Sequence, residues 1–210
     1  MAKPHKLWQA LDQCPIGKAV LADWRRLIGD DFESVRSFLV ATGSIAGFFP
    51  APDSDSFPWR VVAHGPDDIV AVCQESGETT SLNRRDVLLY DFDLQKLAKE
   101  ICDALKFRFA FEPICNVPRC WRIGFVNDSS NSSSPVHLLL PMDSTEIRRA
   151  IESIRAAGLE IGVLTLPTRT CVTTHIETLL SGNRGQFVVL EETLTTRQSN
   201  QWVTRHPPCS

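Results

Sequence analysis

Four residues in the last third of the chain have the types and spacing that chemistry requires: Asp143, Cys171, His175 and Glu191. Cys171 stands four positions before His175, so a thiol and a ring base are close along the chain. With Asp143 or Glu191 to orient the ring, this is the grouping of a small hydrolase working by nucleophilic attack. His137 offers a second ring, but it lies inside the apolar run Val136–Leu140. A histidine there is more commonly a hydrogen-bonded core residue than a base. A metal-dependent nuclease would want an aspartate followed by Glu-x-Lys, and Glu191-Glu192-Thr193 lacks the lysine.

Cys171 and His175 also enter a metal constellation with Cys115 and Cys120. Thiol and imidazole suit zinc, and spacings of three and four intervening residues are near those of zinc sites. Against that, Cys120 neighbours Trp121 in an expected strand, and the two pairs flank the stretch Asp128-Ser-Ser-Asn-Ser-Ser-Ser134. Unrelated thiols and a surface histidine are the simpler account, and no metal or cofactor is expected.

Positioning these residues falls to segment 135–194. Val136–Leu140 is continuously apolar, and Asp143 with Glu146 has the form of a capping box, opening a helix through Ala157 that Gly158 ends. Leu159–Leu166 is a second buried strand; Thr174 and Glu177 cap a second helix that Gly182 closes; Phe187–Leu190 is a third strand. Strand–helix–strand–helix–strand with short loops predicts parallel pairing through right-handed crossovers. In such a sheet ligands favour the carboxyl ends of the strands. That edge would gather Asp143 and Ser144, then Thr168, Arg169 and Thr170, then Glu191 and Glu192. Helix N-termini there would offer N–H groups to an anion, with Arg169 as its counter-charge. Asp143 and Thr174 are also explained as caps alone. Gly182-x-x-Gly185 precedes a strand, so it is not a phosphate loop.

Upstream, residues 1–49 read as helical: a short helix near His5–Gln13, one over Ile16–Ile28 ending at Gly29, and one from Asp30 or Asp31 stopped by Gly43. Residues 50–127 form a β-rich middle. Its strands are Trp59–Ala63, Ile69–Cys73 and Val87–Phe92, with turns at Gly65-Pro66-Asp67-Asp68 and Gly77. That layout is similar to a zinc ribbon, yet Cys73 is the one cysteine in residues 50–92. Leu94–Leu105 is an amphipathic helix. Phe107, Phe109 and Phe111 then alternate with Arg108 and Ala110, and Trp121, Ile123 and Phe125 make a hairpin partner. These aromatics with Arg108, Arg119 and Arg122 would suit a stacking platform for single-stranded nucleic acid, although alternation alone explains them as core-facing. The stretch 128–134 is a loop, and residues 195–210 are a polar tail. The fold class is therefore mixed α/β, and the middle and C-terminal segments are expected to share one core, with no clean boundary except the serine loop.

The 210 residues are 43% apolar and 22% charged with net charge −3, an ordinary globular balance that argues against broad binding to nucleic acid or an anionic membrane. No apolar run approaches the roughly 20 residues of a membrane helix, and the first residues lack the apolar core of a signal peptide. Seven scattered cysteines without an export signal are expected to be thiols in a cytoplasmic protein. Residues 1–50 hold six Lys/Arg against five Asp/Glu, which gives a DNA-binding regulator built on residues 16–43 no cationic face. A non-catalytic binding or regulatory module acting through a protein partner is the leading expectation. A small hydrolase or nuclease using the loops of residues 141–192, and the DNA-binding regulator, are the alternatives.

Overall fold

The computed structural model describes residues 6–13, 17–53, 57–65, 68–127, 133–183, 185–196 and 202–205. His5, Ile16, Pro66-Asp67, the serine stretch from Asp128 to Ser132 and Pro207-Pro208 lie outside them. The chain divides into two compact units, Ile16–Asp93 and Met1–Pro15 with Leu94–Ser210. The division at Asp93/Leu94 falls inside the segment 50–127.

In the unit Ile16–Asp93, α2 (Leu21–Ile28) buries Trp24 and Ile28 and ends at Gly29, whose φ of 63° is left-handed. Two 3₁₀ turns flank the single turn α3 (Phe32–Val35). The chain then extends as β1 (Leu39–Ile45) and β2 (Phe48–Phe49), where a helix reaching Gly43 was expected. The β-branched Val40, Thr42 and Ile45 favour extension, and β1 pairs antiparallel with β6 (Leu88–Phe92), Leu39 opposite Phe92. A partner some fifty residues away is invisible to local periodicity. The rest is a meander of β2, β3 (Trp59–Ala63), β4 (Ile69–Val72) and β5 (Thr79–Leu82), with the turn α4 (Arg84–Val87) before β6. Between β1 and β2, the Ala46 N–H donates to Val87 O at 2.8 Å and Gly47 O accepts from Val61 N at 2.9 Å. β1 and β2 thus act as one bent strand joining both sheets. Gly43, at φ 80°, sits in the bulge where the β1–β6 register shifts. Trp24 and Phe38 each pack against Phe92 with centroids 5.7 Å apart.

The other unit is built on a five-stranded mixed sheet in the order β11-β10-β9-β8-β7. β7 (Arg108–Pro113) and β8 (Cys120–Asn127) form the expected hairpin, and β8 runs antiparallel to β9 (Ser133–Leu139). β9, β10 (Val163–Leu166) and β11 (Gln186–Val189) are parallel, linked through α6 (Ser144–Ala156) and α7 (Thr174–Ser181). The predicted β-α-β-α-β unit is therefore present, and the fold class is α/β. On one face Ile147, Ile151, Ile154, Ile176 and Leu180 pack on Leu139, Leu164 and Leu166. Each such side chain contributes about 1.5–3 kcal/mol on burial. Across the sheet, α5 (Leu94–Leu105) buries Leu97, Ile101 and Cys102, and the Cys102 thiol donates to Ile123 O at 3.3 Å. Gly124 lets β7 and α5 come this close: a Cβ there would lie 2.5 Å from Arg108 O and 3.1 Å from Cys102 Sγ.

After β11 come the turn α8 (Leu190–Thr193), β12 (Leu194–Thr196) and β13 (Trp202–Thr204), the last two paired antiparallel. The expected polar tail is thus partly structured, because Trp202 is an apolar anchor only 7% exposed. The unit is completed by the N-terminal helix α1 (Lys6–Gln13), whose Leu7, Trp8, Ala10 and Leu11 are buried. Among the described residues no helix is long and apolar enough to cross a membrane.

Candidate functional site

Parallel pairing brings the carboxyl ends of β9, β10 and β11 to one edge, and the predicted residues follow those ends in order. β8 begins at the same edge, since Cys120 pairs with Leu139, so the loop 114–119 joins the group. Arg119 in that loop is held in the left-handed region at φ 57°, and its carbonyl accepts from Leu140 N at 3.0 Å. A groove of about 200 Å³ runs between Asn116–Pro118 and the α6 residues Glu146, Arg149, Ala150 and Ser153. Across the edge lies α1. The Thr168 hydroxyl hydrogen-bonds the Asp12 carboxylate, Arg119 Nη2 donates to Leu11 O at 3.4 Å, and Trp8 packs on Trp202.

The residues singled out from the sequence are mostly occupied here. Asp143 caps α6 by accepting from Glu146 N at 2.9 Å, while Glu146 accepts from Met142 N at 2.8 Å. Ser144 follows it, half-buried in the first turn. The cap of α7 is Thr173, one residue before the expected Thr174, accepting from Ile176 N at 3.4 Å. Arg169 is not a free anion partner: it donates to Glu192 at 2.9 Å and Glu177 at 2.7 Å, and its backbone N–H to Glu191 at 3.1 Å. Those contacts, Glu192 foremost, hold its charge even more firmly than usual. The Thr168 and Thr170 hydroxyls lie 2.8 Å apart, and Thr170 N donates to Thr168 Oγ1 at 3.1 Å.

Nor do the hydrolytic pieces assemble. Cys171 is half-buried, and burial, reinforced by the negative charges of Asp12, Asp143 and Glu146, pushes its thiol up, away from the nucleophilic thiolate. His175 is exposed in the first turn of α7, and no hydrogen bond joins it to Cys171. His137 is buried in β9 with Nε2 3.3 Å from Glu160 O, and burial lowers its pKa. For zinc, Cys115 is exposed while Cys120 is buried, its thiol pushed up to about 12 by desolvation. No group of three or more His, Cys, Asp or Glu among the described residues is placed to hold a metal ion.

No protein-family model, curated protein or solved structure matches this chain. What it can do must therefore be read from its own geometry.

The cationic candidates are equally engaged. Arg25 lies over the Phe32 ring at 5.0 Å, Arg26 donates to Ala51 O at 2.8 Å, and Arg36 pairs with Glu33 at 3.6 Å. On the hairpin, Arg108 and Arg122 sit over Phe125 at 4.5 and 5.2 Å, and Arg122 also pairs with Glu112. Those arginines cover the Phe125 ring that a stacking platform would need.

Two residues that the sequence did not single out, Trp8 and Asp12, stand out instead, together with Arg119, which it offered only for a stacking platform. Burial raises the Asp12 carboxyl to about 6; the Thr168 hydrogen bond opposes this, Glu191 adds to it, and Arg119 opposes it. Asp12 Oδ1, Arg119 Nε and Nη1, and Trp8 Nε1 are buried with no hydrogen-bond partner among the described residues. The signal was available: Trp8 and Asp12 are four apart, so a carboxylate shares the apolar face of a short helix.

Proposed function

We propose that this chain is a non-catalytic binding or regulatory module that acts in the cytoplasm through a protein partner. One observation carries the reading. At the edge where a parallel sheet offers its ligand site, the groups suited to chemistry are held by structural partners: Asp143 in a cap, Arg169 between Glu177 and Glu192, Glu191 on the Arg169 N–H. A nucleophile bonded to a base, and a base bonded to its orienting group, are the contacts a hydrolytic site is built on, and these residues make none of them. Groups spent on a cap and on half-exposed ion pairs fit a protein whose surface, not its chemistry, is its output.

The experiment is gentle purification of the tagged full-length protein from its native host, with bound metal measured in the same sample. It is paired with Asp143→Ala, Cys171→Ala and His175→Ala in the cell. A stoichiometric protein partner, with the cellular role intact in Cys171→Ala and His175→Ala, supports the module. A metal-loaded protein without a partner, or loss of the role in both variants while they still fold, overturns it in favour of a hydrolase.

A further inference from the structure

We infer that α1 is a displaceable plug: it closes the carboxyl edge of β9–β11, and an amphipathic helix of the protein partner takes its place. The inference rests on the module reading for its partner, but the plug itself is argued from α1.

The docking of α1 is apolar in strength and poorly matched in polarity. Leu7, Trp8 and Leu11 are each 2% exposed or less, so the helix is seated firmly by burial. Its polar contacts are incomplete. Of the six buried side-chain atoms left unpaired among the described residues, four belong to Trp8, Asp12 and Arg119, the residues of this one interface. Fully buried interfaces formed once and for all satisfy such groups. Four unpaired atoms in one interface weaken it by the cost of their desolvation, which release into water would recover.

The connectivity supports the same view. α1 precedes the whole unit Ile16–Asp93, yet it packs on residues of the other unit: Arg119, Thr168 and Trp202. An isolated helix of eight residues is unstable in water, so α1 is helical because it is docked, and release would unwind it. Release would also expose the Trp202 indole, the Thr168 and Thr170 hydroxyls and the Arg119 guanidinium together. What fits that groove is what fills it now: a helix with apolar residues in the spacing of Leu7, Trp8, Ala10 and Leu11 and a hydrogen-bonding side chain at the position of Asp12.

Hydrogen–deuterium exchange on the full-length protein tests the plug without any partner. The α1 amides are expected to exchange at least a hundredfold faster than those of β9. Leu11→Ala should speed α1 at least tenfold while leaving β9 unchanged, which shows that the rest of the unit stays folded. A fluorescent peptide of residues Lys6–Gln13 should then bind Leu11→Ala at least tenfold more tightly than wild type, because the internal competitor is weakened. Exchange of α1 and β9 at a common rate in the wild type would overturn the proposal, as would failure of the peptide to bind a folded Leu11→Ala chain. Both readouts are independent of the native partner, so they can fail while the module reading stands, or succeed while it falls.

Discussion

Trp8 and Trp202, the first indole of the chain and the last, pack with ring centroids 4.9 Å apart and planes tilted by 51°. This contact joins an N-terminal helix to a C-terminal hairpin. Trp202 also belongs to β13, which packs beside α5, so the pair ties α1 to the face of the sheet that α5 covers.

Trp202→Ala is expected to cost about 3–5 kcal/mol, the usual range for removing a buried aromatic side chain. The effect should not be uniform. Loss of protection is expected to concentrate in α1, β12 and β13, with β9 and β10 less affected, as read by hydrogen exchange and urea unfolding of the same variant.

Asp12 makes the seating of α1 depend on pH. Its carboxyl is raised from 3.8 to about 6, so the folded protein holds this proton more tightly than the unfolded chain does. The stabilisation is complete below about 3.8 and is lost as pH rises through about 6. The groups that face it are Thr168, Arg119 and Glu191, with Cys171 near enough to feel its charge. Exchange of α1 should therefore quicken, beyond the intrinsic effect of pH, between pH 4 and 7. Asp12→Asn, a neutral isostere, should abolish that excess and slow α1 opening at pH 7; an unchanged excess would remove Asp12 as its source.

Gly124→Ala tests the close approach of β7, β8 and α5. The added methyl would meet the Arg108 carbonyl, which is backbone and cannot swing aside. Destabilisation of about 1–3 kcal/mol is expected from overpacking, measured as a lower urea midpoint. A neutral effect would mean that the hairpin separates more easily than its register suggests.

The thiols should label in a fixed order with iodoacetamide at neutral pH, followed by mass spectrometry. Cys73, whose thiol the Ser76 hydrogen bonds lower, and the exposed Cys115 are expected to react first. Cys171 should follow, slowed by burial and nearby carboxylates. Cys102 and Cys120, both buried with thiols pushed up to about 12, should react only on unfolding.

Arg169 looks like the centre of a site and is expected to matter little for stability. Its bridges to Glu177 and Glu192 are about half exposed, and such pairs contribute roughly 0–1 kcal/mol. Arg169→Ala should leave the thermal midpoint nearly unchanged. A large drop would show that the Glu191 contact to the Arg169 backbone depends on the side chain.

The sequence by itself determined the elements whose hydrogen bonds and apolar faces are local. The α5 stripe, the α6 capping by Asp143 and Glu146, the apolar runs of β9 and β11 and the alternation of β7 and β8 were all legible, because each is a period or a cap within a dozen residues. From them the parallel order of β9, β10 and β11 and the α/β class followed, since short helical crossovers leave few other ways to pair. Only the tertiary structure decided what depends on partners distant in the chain. Residues 39–45 are a strand because β6 pairs with them, not because their own pattern excludes a helix. Trp202 is an anchor because Trp8 meets it. Asp12 is a raised, half-buried carboxyl because docking α1 against residues far along the chain, Thr168 156 residues later among them, takes it out of water. Charge, burial and hydrogen-bond satisfaction are properties of neighbours in space, and a periodicity carries no information about which neighbours a fold will supply.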